Sequence, residues 1–168
     1  VDLEITDCGY LFYDGCRLDC YSKLMKIVNF KELTNMCYMF YRCSGIKNLD
    51  LSIYETNNVT DMRNMFYDCT GILELDLSSF DTSKVRNMNY MFNSCSKITE
   101  LDLSNFNTSN TKNMEYMFYG CTRLEKIDIS SFDISNLDED GIRGMFSGCQ
   151  SLIELDLSIF DMGEISNK

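Results

Sequence analysis

The chain is 168 residues long, has no histidine, proline or tryptophan, and carries 15 Lys plus Arg against 26 Asp plus Glu, a formal net charge of −11. Without imidazole, Ser–His and Cys–His nucleophile pairs, histidine metal ligands and histidine pH switches are excluded within these residues; the acidic balance disfavours nucleic acid, whose phosphates need a basic footprint. An apolar fraction of 45% is that of a globular chain rather than an acidic tail, and no apolar run approaches the length of a membrane span.

In chain order, a divergent first word, Leu11-Phe12-Tyr13-Asp14-Gly15-Cys16, is followed by Met25-Lys26-Ile27-Val28-Asn29-Phe30, a weak strand-like segment. Leu33, Met36, Met39, Phe40 and Cys43 then fall at offsets 0, 3, 6, 7 and 10, one face of a short helix. Leu49-Asp50-Leu51-Ser52 alternates with period two, as a half-buried strand does. Val59, Met62, Met65, Phe66 and Cys69 repeat the helical spacing, Leu75-Asp76-Leu77-Ser78 the strand, and Val85, Met88, Met91, Phe92 and Cys95 the helix again. Leu101-Asp102-Leu103-Ser104, Met117-Phe118 with Cys121, Ile127-Asp128-Ile129-Ser130, Met145-Phe146 with Cys149, and Leu155-Asp156-Leu157-Ser158 continue the alternation. Met39, Met65, Met91 and Met117 are 26 residues apart; the step to Met145 is 28.

Each strand word has an apolar residue three positions ahead (Ile46, Ile72, Ile98, Leu124, Leu152) and an aromatic behind (Tyr54, Phe80, Phe106, Phe132, Phe160). Asn57, Ser83, Ser109 and Ser135 stand where helix N-caps belong, and Gly45 and Gly71 suit the return into the next strand. A fixed period of this length means a solenoid, because one unit cannot bury its own apolar face. The expected fold is therefore α/β: a leucine-rich-repeat-like right-handed solenoid with one short parallel strand and one short helix per 26-residue repeat. It forms a single domain over 1–168 of about six units. Val1 is followed by no leader pattern, so the chain is read as a fragment, a processed product or a trimmed piece of a longer protein.

The stretch from 75 to 92, Leu-Asp-Leu-Ser-Ser-Phe-Asp-Thr-Ser-Lys-Val-Arg-Asn-Met-Asn-Tyr-Met-Phe, resembles the repeats of BspA-like leucine-rich-repeat surface proteins, and the likeness runs from about residue 5 to 161. Departures are small: Asn107 stands for Asp, and the last unit has two extra residues around Asp138-Glu139-Asp140. The resemblance implies a cell-surface or secreted location and a non-enzymatic role in adhesion to, or binding of, a host, matrix or cell-surface macromolecule. The partner it implies is a protein or glycan, with no nucleic acid and no membrane insertion by this segment. The alternative is a spacer array with no ligand of its own. No enzyme activity and no cofactor are expected, since the sequence is nearly periodic and lacks a singular charged cluster; the least periodic stretches are 16–24 and 138–144.

Repetition turns sequence columns into spatial ladders. Asp50, Asp76, Asp102, Asp128 and Asp156, with Glu74, Glu100 and Glu154 alongside, form an acidic strand face. Like charges at a strand spacing repel by roughly 1 kcal/mol in water. The face is either a site for a basic or glycan partner, a weak Ca²⁺ site, or a solvated surface that blocks wrong sheet contacts. Cys16, Cys43, Cys69, Cys95, Cys121 and Cys149 form one column, with Cys8, Cys20 and Cys37 outside it. Buried thiols explain the spacing; limited disulfides among Cys8, Cys16, Cys20 and Cys37 are the other reading. The i, i+3 pairs Tyr38 and Tyr41, Tyr116 and Tyr119, and Tyr10 and Tyr13, with Tyr67 and Tyr90, form an aromatic flank, read as inter-helix packing or as a contact surface.

Overall fold

A computed structural model describes residues 3–14, 28–30, 32–156 and 158. Cys16, Cys20, the 16–24 stretch, Met25–Ile27, Leu157 and Phe160 lie outside the described residues. The repeats are coils laid one on the next. Strands are few: β1 (Leu3–Glu4) pairs in parallel with β2 (Val28–Asn29), and β3 (Glu100–Asp102) with β4 (Lys126–Asp128). A column of single parallel bridges, Asp7–Asn35–Asp61–Asn87–Asn113, runs up another corner of the coils.

The expected helix in each repeat is absent from the described residues, and the backbone hydrogen bonds show why. In the second coil the amides of Met36, Tyr38, Phe40 and Arg42 donate to the carbonyls of Asp61, Arg63, Met65 and Tyr67 in the third. Of the intervening and following amides, those of Met39, Tyr41 and Cys43 donate three residues back, to Met36, Tyr38 and Phe40, and that of Cys37 to the Asn35 side chain. An α-helix commits every amide to the carbonyl four residues back; here alternate amides are spent on the neighbouring coil. The same alternation recurs in the third, fourth and fifth coils.

Two residues per coil, four apart, take the left-handed conformation that this arrangement needs. They are Tyr38 and Arg42, Asn64 and Asp68, Tyr90 and Ser94, and Tyr116 and Gly120, with φ from 53° to 71°. Each left-handed L-residue costs about 1–2 kcal/mol and none can sit within an α-helix. A fully buried Phe or Met side chain contributes about 1.5–3 kcal/mol. Met39, Phe40, Met65, Phe66, Met91, Phe92, Met117 and Phe118 are all wholly buried, so core burial more than offsets the backbone strain.

The apolar spacing has a different cause from the one inferred. Chained turns closed by three-residue hydrogen bonds (Thr56 to Val59, Met62 to Met65, Phe66 to Cys69, Cys69 to Ile72) return an inward-facing residue every third position. The candidate caps behave differently too. The amides of Ser83, Ser109 and Ser135 donate to Asp81, Asn107 and Asp133, closing Asx-turns at a corner. Gly71 lies so close to the backbone of Ser44 and Ile46 that a Cβ there would sit 2.1 Å from the Ser44 carbonyl oxygen, whereas Gly45 meets nothing. The two extra residues of the last unit fit between Asp138, whose amide reaches Lys112, and Gly141, whose carbonyl receives the Met114 amide.

Candidate functional site

Three ladders could carry function, and their geometry separates them. Asp50, Asp76, Asp102, Asp128 and Asp156 are exposed, as are Glu74, Glu100 and Glu154. The continuous five-strand face expected for them is not formed: only β3 and β4 pair, with Asp102 opposite Asp128, while Asp50, Asp76 and Asp156 lie outside any strand. Each aspartate closes a turn instead. Its Oδ1 accepts the amide of the serine two residues on, at 2.8–3.1 Å, in Ser52, Ser78, Ser104, Ser130 and Ser158. Hydrogen bonds from Ser78 and Ser104 hold the carboxyls of Asp76 and Asp102 below the usual carboxylate range, and Ser130 and Ser158 do the same for Asp128 and Asp156. Lys126 ties off Glu100 at 3.0 Å, and a shallow concavity of about 330 Å³ lies over β3 and β4 beside Glu154. Among the described residues no group of three or more Asp, Glu or Cys is placed to hold a metal ion.

The sulfur column is internal. The thiols of Cys43, Cys69, Cys95, Cys121 and Cys149 donate to the carbonyls of Phe12, Phe40, Phe66, Phe92 and Phe118 at 2.9–3.1 Å. Burial pushes the Cys121 thiol up to about 12 and the Cys69 and Cys95 thiols well above their ordinary value. Cys8 and Cys37 are buried free thiols, so the disulfide reading finds no support in that half of its candidate set.

The tyrosines form two adjacent ladders on the surface. In one, Tyr13 stacks on Tyr41 and Tyr41 on Tyr67, both at 4.7 Å; Tyr119 continues it beyond Asn93. In the other, Tyr10 stacks on Tyr38 at 4.7 Å and Tyr90 on Tyr116 at 5.2 Å, with Asn64 between the two pairs. The inter-helix packing reading falls with the helices. Tyr10, Tyr13 and Tyr119 are exposed, and Tyr38, Tyr41, Tyr67, Tyr90 and Tyr116 are half-buried. Arg42 lies over the Tyr41 ring and Arg143 over Tyr116, at 5.3 and 5.7 Å from the centroids. Arg143 is also held by Glu115 and Asp140. Behind this surface Phe12, Phe40, Phe66, Phe92, Phe118 and Phe146 form a third, mostly buried stack at 5.3–5.6 Å.

Two devices escaped the sequence reading. Thr56, Thr82 and Thr108 are buried, and each hydroxyl both donates to a carbonyl and accepts an amide of one residue in the next coil: Asp81, Asn107 and Asp133. Their 26-residue spacing was the available signal. The other device is the gap at Asn64, visible once Tyr38, Tyr90 and Tyr116 are aligned by period.

These coils define a protein built as a stacked repeat array. The family model described as "Mycoplasma protein of unknown function, DUF285" matches residues 4–100 and again 34–160, and the chain belongs to that family. A crystal structure described as the T. pallidum leucine-rich-repeat protein is similar to 97% of this chain and covers 76% of its own, at 14% identity and a TM-score of 0.45. No curated protein matches the chain.

Proposed function

We propose that this chain is a non-enzymatic recognition module that contacts a protein or glycan ligand through its tyrosine face. The observation that supports it most is the surface tyrosine ladder, since Tyr combines a large rigid contact area with a polar tip. The resemblance of the repeats to BspA-like surface proteins adds the expectation of a cell-surface or secreted setting and an adhesive role. The acidic face is the weaker candidate, because its aspartates already serve the coil corners. The test is capture of purified matrix proteins and glycans from a panel by the immobilised chain. Tyr38→Ser, Tyr41→Ser, Tyr116→Ser and Tyr119→Ser together abolish capture on this reading. Capture undiminished by the four changes removes the tyrosine face; a chain that captures nothing favours the spacer array.

A further inference from the structure

The second tyrosine ladder is missing one ring. Tyr38 has one face on Tyr10, and Tyr90 has one face on Tyr116. The coil between them carries Asn64, which is buried and lines a concavity of about 360 Å³. Tyr38 and Tyr90 line it as well, with Tyr41, Tyr67, Arg63 and Asn89. The ladder advances 4.7–5.2 Å per ring, so two coil steps leave the space of one flat ring between the Tyr38 and Tyr90 faces.

We propose that this slot receives an aromatic side chain of a partner protein, sandwiched between Tyr38 and Tyr90 in place of the missing ring. Stacked aromatic pairs are favourable beyond the area they bury. Charge argues for a ring without phosphate: Arg63 lies 3.3 Å from Asp61, Arg42 lies 3.9 Å from Asp68, and the chain carries −11 overall. The proposal rests on the tyrosine face being the contact surface, and it names what one point of that face takes.

Because the chain has no tryptophan, binding of N-acetyltryptophanamide is read directly from indole fluorescence. The expected result is saturable binding, competition by N-acetyltyrosinamide and by N-acetylphenylalaninamide, and none by a methyl glycoside. Asn64→Tyr fills the slot with the ring found at the same position in neighbouring coils. Tyr38, Tyr90 and Tyr116 hold φ of 53–57° and Asn64 holds 55°, so this variant keeps the backbone, and circular dichroism checks that it does. It weakens the probe about tenfold or more. No saturable binding to the wild type, equal binding to Asn64→Tyr, or displacement by the glycoside would overturn the proposal. Probe binding without macromolecular capture on the panel would defeat the wider reading and leave the slot intact; capture that depends on the tyrosine face, without probe binding, would do the reverse.

Discussion

The hydroxyl of Thr82 donates to the Asn107 carbonyl at 3.0 Å and accepts the Asn107 amide at 2.8 Å. Valine keeps the shape and removes both bonds, leaving backbone groups at a part-buried corner without partners. Thr82→Val is therefore expected to lose about 1–3 kcal/mol in urea unfolding, whereas Ser78→Ala on the exposed corner stays within about 0.5 kcal/mol. The thiols make a second residue-scale prediction. Their ordinary value is 9.0, and burial raises Cys8 and Cys121 to about 12. A raised value means that the folded state holds the proton more tightly than the unfolded one. That stabilisation is full below pH 9 and is lost as pH rises toward 12, when only the unfolded chain ionises. Stability should thus fall across that interval, and native thiols should resist alkylation at neutral pH until denaturant is added.

At the scale of the element, the coil replaces the helix, and far-UV circular dichroism should show no helical double minimum. A helical spectrum would contradict the alternating hydrogen bonds of Met36 to Cys43. Arg42 sits at φ 56°, at the position that Gly120 and Gly148 occupy in later coils. Arg42→Gly should raise stability by up to about 1 kcal/mol, the left-handed strain relieved less the entropy glycine adds to the unfolded chain, while Arg42→Val, β-branched at positive φ, should lower it. The sequence made the repeat, its period and its inward column readable: Val59, Met62, Met65, Phe66 and Cys69 are all buried, as their spacing demanded. It did not reveal which local structure produced that spacing. A three-residue step serves a chain of turns as well as a helix, and what decides between them is a set of hydrogen bonds to the next coil, which no single repeat contains. The aspartates were legible as a column, but their work as turn closers depended on the serine two residues on. The tyrosine face was legible as a pattern; the Asn64 gap became meaningful only when the stack gave it walls.

For the whole molecule, charge and aromatic surface are separate properties, and they can be removed separately. Asn107 already closes the corner that Asp81 and Asp133 close in neighbouring coils, so asparagine preserves an Asx-turn while deleting its charge. Asp76→Asn, Asp102→Asn and Asp128→Asn together should keep the fold and soften its loss on acidification. These carboxyls lie below their ordinary value when folded, so their contribution is present above about pH 4 and disappears as pH falls through the folded values. The contribution of each surface is separated by the affinity of these three changes combined, beside that of the four Tyr→Ser changes, for one ligand captured by the wild type. Binding through the tyrosine face leaves the affinity of the charge-deleted chain unchanged and abolishes that of the tyrosine-deleted one. Loss of binding on charge deletion, with the tyrosine-deleted chain unaffected, would contradict it.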